Sequence, residues 1–263
     1  KKLYKKEIDP ERIMIMPGGK PTMYFAIQMI GEPGAEIVHP TPGFPIYESM
    51  INYTGAKAVS YDLTTEKDLK FDPEKILSLI TDKTRLVILI NPNNPTGSFV
   101  EKPAIDFLAE GLKKHPHVTI LSDEIYSRQN LKILLSYFMK LAKNLDRLGT
   151  ETAFSVLAEA KKLEAQGKEM IHLGLGQPDF KTPQHIMDAA KKAIDDGHHG
   201  YVLANGITEC RQAVSRKIKK LYKKEIDPER IMIMPGGKPT MYFAIQMIGE
   251  PGAEIVHPTP GFP

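Results

Sequence analysis

The 263-residue chain contains no tryptophan and a single cysteine, Cys210. One thiol cannot close an internal disulfide and has no partner for a Cys-rich metal site, so the composition points to a reducing compartment, with the cytoplasm as the expected location. No apolar run approaches the roughly 20 residues needed to span a bilayer, so no membrane partner is expected. Charge of one sign does not accumulate either. The formal net charge is +3, and the lysines near Lys1, like their repeat from Lys219, alternate with apolar and acidic residues as solvated helix faces do. That pattern argues against a nucleic-acid partner. What remains is ordinary globular composition, 41% hydrophobic and 25% charged, in a chain long enough to bury one large core or two small ones.

Lys1–Pro45 and Lys219–Pro263 are identical at all 45 positions. Solenoid units are short, adjacent and diverged because each packs on its neighbour, whereas this pair is perfect and widely separated. The expectation is one sequence read twice, from an open frame running round a circular or wrongly closed DNA segment, with Met139 as the start of the underlying protein. The alternative is a genuine tandem duplication; a single uninterrupted transcript carrying both copies would exclude the circular reading. On that expectation 139–218 is an N-terminal arm and the start of a domain, 1–128 is the central part of the same domain, 129–138 is a junction, and 219–263 repeats 1–45. Two identical strands compete for one position in a sheet, so at most one copy is expected in its native place. The first is favoured because it is contiguous with Asn94 and Asp123, whereas the second is contiguous with Gly176 and Tyr201.

Apolar positions at helical spacing predict a helix within Asn144–Gln166, ended by Gly167. Met170–Leu175 reads as a short strand, and Thr182-Pro183 as a helix start with Thr as N-cap and Pro at the first position. A further helix follows Gly206-Ile207-Thr208 and runs through Arg211 to Tyr222. In 1–128, short Ile/Val/Leu-rich strands at Arg12–Met16, Glu36–His39, Ala58–Leu63, Arg85–Ile90 and Val118–Ser122 alternate with helical patterns at Pro21–Ile30, Tyr47–Asn52, Pro73–Ile80 and Pro103–Lys114. This is the pattern of an α/β protein with a mostly parallel sheet covered on both faces, in which ligands bind at the carboxyl ends of the strands.

The unusual residues fall at those ends. Pro17-Gly18-Gly19-Lys20 directly precedes a helix, where glycines admit close backbone approach and the helix N-terminus and lysine attract an anion. Gly-Gly turns are common, and neither the dinucleotide nor the triphosphate glycine pattern is present. After the fourth strand comes Asn91-Pro92-Asn93-Asn94-Pro95-Thr96-Gly97, and the fifth ends in Ser122-Asp123-Glu124-Ile125-Tyr126. A buried acid at a strand end needs a partner. Position alone leaves a helix cap, a structural ion pair and a functional role all open. His198-His199 lacks a third ligand at metal spacing, so no metal is expected.

Together these segments resemble the class I/II aminotransferases, pyridoxal-phosphate enzymes of fold type I, over everything except Gln129–Phe138. The most specific elements are Asn-Pro-Asn-Asn-Pro-Thr-Gly followed by Ser-Asp-Glu-Ile-Tyr; Gly176-Gln-Pro-Asp-Phe and Tyr201-Val-Leu-Ala-Asn-Gly206 add to them. The resemblance implies pyridoxal 5'-phosphate as cofactor and the large domain of such an enzyme as fold. It implies that Asp123 pairs with the ring nitrogen and that Asn94 and Tyr126 bond the phenolic oxygen. Phe44 would stack on the ring, and Gly19 and Lys20 would hold the phosphate. Tyr201 would reach the phosphate of a neighbouring subunit, implying a homodimer, and Gly176 would meet the carboxylate of an amino acid or 2-oxo acid substrate. Gly237, Lys238 and Phe262 match the same motifs as their duplicates Gly19, Lys20 and Phe44.

The pattern then departs from the family. The lysine that forms a Schiff base with the cofactor, in a Ser-Lys segment followed by Gly-Trp-Arg, has no counterpart, and neither has the substrate-carboxylate arginine of the small C-terminal domain. The two last strands, which the family inserts between the Val118 and Arg12 strands, are absent too, leaving edges open to non-native pairing. The resemblance thus implies amino transfer between an amino acid and a 2-oxo acid for the family and inactivity for this chain. A non-catalytic pyridoxal-phosphate-binding or regulatory protein is the alternative.

Overall fold

The structure, a computed structural model, describes residues 9–125, 140–149, 152–172, 176 and 178–259. The chain divides into two compact units, Lys1–Leu148 and Gly149–Pro263.

The first unit is a three-layer α/β arrangement. Helix α1 (Gly19–Gln28) leads to strand β1 (Glu36–Thr41), α2 (Ile46–Tyr53) to β2 (Lys57–Asp62), α3 (Pro73–Ser78) to β3 (Thr84–Ile90), and α4 (Lys102–Leu112) to β4 (Thr119–Asp123). The four strands form one parallel sheet in the order β2-β1-β3-β4, so the α/β reading of the sequence is what is found. Alternation along the strands assigns each side chain to a face. Ile37, Leu86, Ile88 and Ile90 join Met23, Ile27, Tyr47 and Ile51 of α1 and α2 on one side. Val38, Val87 and Leu89 join Ile76 of α3 and Leu108 and Leu112 of α4 on the other. Burial on both faces explains why these strands read as nearly continuous apolar runs. Each fully buried aliphatic residue contributes about 1.5–3 kcal/mol.

Two polar groups on β1 make this core sensitive to acid. The Thr81 hydroxyl donates to one Glu36 oxygen at 2.6 Å and Lys57 Nζ to the other at 3.0 Å, holding the carboxyl below its usual range. Burial pushes the His39 imidazole below its ordinary 6.5, against the opposing pull of Glu48. The unfolded chain therefore binds a proton at His39 more readily than the folded one. Stability is complete above about 6.5 and falls as the pH drops through that value. Glu36 adds a second loss in the carboxylate range, because its folded pKa is the lower one. Urea midpoints are expected to fall between pH 7 and 5, and His39→Gln to flatten that first phase. A wild-type midpoint constant over this interval would count against the assignment.

Several expectations need correction. Arg12–Met16 forms no strand; Ile13, Met14 and Ile15 are 57, 82 and 92% exposed. Among the described residues no strand lies beyond β4, so the neighbours between which this apolar segment was expected are not there to pair with it. Met170–His172 is irregular, with Ile171 exposed, and the rest of that expected strand lies outside the described residues. The expected 144–166 helix is instead a 3-10 turn at Lys143–Arg147 and a helix, α5 (Thr152–Ala165). Pro183 is the N-cap rather than the first residue of α6 (Gln184–Asp195), because its ψ of 138° is not helical.

In the second unit, α7 (Thr208–Tyr222) is tied to the 3-10 turn Pro228–Arg230 through Arg211, which is 2% exposed. Its guanidinium donates to the carbonyls of Gly206 and Pro228 and to Glu229 Oε1 at 2.8 Å. The chain continues into α8 (Gly237–Ile248).

The repeat offers an internal comparison between 9–41 and 227–259. The turn, the glycine cap and the helix recur, the second helix running two residues further. Both copies have the 3-10 turn, with Arg12 N–H donating to Asp9 O and Arg230 N–H to Asp227 O, each at 2.9 Å. Gly18 and Gly236 cap the following helix with φ of 104° and 103°, a region that favours glycine. The Thr22 and Thr240 hydroxyls donate to the carbonyls of those glycines. The strand does not recur: Glu36–Thr41 is β1, while 254–259 is irregular. Val38 is fully buried and Val256 is 99% exposed.

Candidate functional site

The order β2-β1-β3-β4 makes the chain leave β1 toward one side of the sheet and β3 toward the other. A crevice therefore opens between the carboxyl ends of β1 and β3, where ligands bind in open α/β sheets. The loops there are built from the motif residues. Asn91, 2% exposed, clasps the loop after β3: its Nδ2 donates to Val100 O at 3.0 Å and its Oδ1 accepts from Val100 N–H at 2.9 Å. Asn93 ties this loop to the one after β1, donating from Nδ2 to Thr96 Oγ1 at 2.9 Å and to Pro42 O at 3.4 Å. Gly97, at φ 70°, closes the turn through Gly97 N–H to Asn93 O. Among the described residues the buried Oδ1 of Asn93 has no hydrogen-bond partner.

Asp123 ends β4. Tyr47, on the first turn of α2, donates its hydroxyl to Asp123 Oδ2 at 2.7 Å. Burial and the adjacent acid push the phenol far above its ordinary value, so it remains a donor. Asp123 Oδ1 accepts a long 3.3 Å contact from Ile125 N–H, and among the described residues no cation pairs with the acid. The neighbouring Glu124, half-buried, is raised above the usual carboxylate range chiefly by burial.

The N-terminus of α1 lies beside this strand end: a Cβ built on Gly19 would sit 3.6 Å from Ile125 Cδ1. Lys20 is exposed, and Phe44 and Asn94 are half-buried. The first unit thus gathers Gly19, Lys20, Phe44, Asn94 and Asp123 around the carboxyl ends of its strands. Gly176 and Tyr201 lie exposed in the second unit, as do Gly237 and Lys238 at the start of α8. Tyr126 and Phe262 lie outside the described residues. A separate open depression of about 400 Å³, lined by Asp82, Arg85, Pro116, His117 and Lys140, precedes β3 and β4 at the opposite end of the strands. It brings together none of the motif residues.

Sequence reasoning missed two of these groups. Tyr47 was read only as the first residue of a helical pattern; the available signal was an aromatic hydroxyl three residues after Phe44, just past the end of β1. Asn93 was read only as part of a motif, although its link to Pro42 joins the two loops. The set comprises an anion-attracting helix start, an aromatic ring, a side-chain amide and an acid held by a phenol. It suits a flat aromatic ligand with an anionic arm and a basic ring nitrogen.

A model of the family "Aminotransferase class I and II" matches residues 1–132 and 168–263. Among curated proteins, an aspartate aminotransferase of Bacillus subtilis (strain 168) is 38% identical over 122 residues, 46% of this chain and 31% of the relative. A (5-formylfuran-3-yl)methyl phosphate transaminase of Methanocaldococcus jannaschii is 37% identical over 123 residues, 47% of this chain and 33% of that one. Among solved structures, an alanine aminotransferase from Pyrococcus furiosus shares 29% identity over 43% of this chain and 30% of its own, with a TM-score of 0.40. The chain spans about a third of the length of the curated relatives it matches.

Proposed function

Because the chain belongs to the class I and II aminotransferases, we propose that the crevice between β1 and β3 is the pyridoxal 5'-phosphate-binding part of such an enzyme's large domain. When bound, the cofactor supplies an electron-withdrawing ring that acidifies the α-carbon of an amino acid, the chemistry of amino transfer to a 2-oxo acid. Asp123 faces the ring nitrogen, and Tyr47 fixes the plane of its carboxyl by holding Oδ2, leaving Oδ1 for the ring. Asn94, with Tyr126, bonds the phenolic oxygen. Phe44 covers one ring face and shields it from water. The N-terminus of α1, with Gly19 and Lys20, receives the phosphate, since its first N–H groups have no intrahelical acceptor. Tyr201 and Gly176 serve the phosphate of a partner subunit and the substrate carboxylate in a cytoplasmic homodimer. Without a lysine to join the cofactor, this chain binds but does not turn over.

The observation that carries this reading is Asp123 itself: a half-buried acid with one oxygen secured by Tyr47 at 2.7 Å and, among the described residues, no cation paired with it. An unoccupied charge-assisted hydrogen bond of this kind is worth about 1.5–3 kcal/mol. Asp123→Ala is therefore expected to weaken pyridoxal-phosphate binding roughly 10- to 100-fold in equilibrium dialysis. Equal affinity of the variant and the parent chain would defeat the assignment.

A further inference from the structure

The two copies of the repeat are the same molecule in two situations. Turn, glycine cap and helix form in both, so they are set by the segment itself; only the strand and its burial depend on where the segment lies. In the first copy Ile27, Ile37 and Val38 are fully buried; in the second the same residues, Ile245, Ile255 and Val256, are 52, 46 and 99% exposed. We propose that the place held by α1 and β1 is a docking slot for either copy, and that Gly237–Thr259 of the same chain exchanges into it in place of Gly19–Thr41.

Identity at every position means that each contact in the slot can be remade. Val256 replaces Val38 between Val59 and Val87, and Glu254 replaces Glu36 between Lys57 and Thr81. The incoming segment already carries its helix and glycine cap, so only the strand has to form. Much of the apolar surface exposed by the displaced copy is matched by surface covered in the incoming one, whose Ile245, Ile255 and Val256 start 52, 46 and 99% exposed. A long tether is little hindrance, since loop-closure entropy grows only logarithmically with length. The two occupancies differ at the strand's exit. Thr41 continues directly through Pro42 and Phe44 into α2, and Pro42 O accepts from Asn93. With the second copy in the slot, that connection is no longer held by β1, so occupancy of the slot is coupled to the crevice.

The test is complementation between copies. Val256→Asp is expected to leave the cooperative unfolding transition of the full chain unchanged. Val38→Asp, which places a carboxylate in the core, is expected to keep a cooperative transition because the second copy takes over, and the double variant to lose it. A second measurement reads the exchange directly. In a Cys210→Ser background, Val59→Cys with Val256→Cys should give a disulfide on mild oxidation, because Val59 lies opposite Val38 in the parallel pair, within bridging reach. The linkage is expected within single chains, running as monomer without reductant and mapping to the peptides that carry 59 and 256. Loss of the cooperative transition in Val38→Asp alone overturns the proposal. So does the absence of that disulfide, or its appearance only between chains.

Discussion

Asn91→Ala is expected to lower the stability of the first unit by roughly 2–6 kcal/mol, through two main-chain groups that it leaves stranded rather than through lost volume. Asn91 and Val100 are both buried, and the side-chain amide meets the Val100 N–H and C=O at once. Truncation leaves a buried donor and a buried acceptor without partners, at about 1–3 kcal/mol each. Asn91→Asp should be worse at neutral pH, since it still accepts from the N–H but turns a second acceptor toward the carbonyl. Protonation lets that oxygen donate. The introduced acid then has a folded-state pKa above its unfolded value, and part of the deficit should return as the pH falls through it. Urea unfolding of both variants at two pH values measures this; a loss below about 1 kcal/mol for the alanine variant would show that the loop repacks. The same substitution should weaken pyridoxal-phosphate binding, because the clasp holds the loop that carries Asn93 and Asn94.

The second large effect is on rate. No amino transfer from any amino acid to 2-oxoglutarate is expected with this chain alone, even when the cofactor binds. A missing general base typically forfeits about 10²–10⁴ in rate. Loss of the arginine that holds the substrate carboxylate removes a further charge-assisted contact, about 1.5–3 kcal/mol. Lys20 and Lys238 are poor replacements: each follows the glycines at a helix N-terminus, the end assigned to the phosphate. Borohydride treatment of the cofactor complex followed by peptide mapping decides the matter. Scattered or absent labelling is expected, and a pyridoxyl group on one particular lysine together with turnover would overturn it.

What the sequence disclosed divides along the line between local and distant interactions. The strand at Thr84 was legible because burial on both faces forces a run of Ile, Val and Leu; those at Glu36, Lys57 and Thr119 carried shorter apolar stretches between helical patterns. The helices between them were found to within a few residues. Arg12–Met16 looked the same by composition and failed, because a strand is completed by its neighbours and this one has none among the described residues. In the candidate site, Asp123 and Asn94 stood out as part of a specific motif. Tyr47 did not, because its partner lies 76 positions away and no periodicity encodes a phenol meeting a carboxyl across a fold. The link from Asn93 to Pro42 was hidden for the same reason.

The position of β1 between β2 and β3 also has a kinetic side. A central strand cannot be enclosed until both neighbours exist, so during synthesis the slot is completed only once Thr84–Ile90 has emerged, with the first copy already waiting beside it. At about 5–20 residues per second, the second copy follows the first by roughly 10–40 s. That interval is long enough for a sheet to close around whichever segment is present. Vectorial synthesis therefore gives the first copy a precedence beyond that of its contacts at the strand's exit. Refolding from denaturant removes the head start, so chains renatured from urea should carry the second copy in the slot more often than chains newly made.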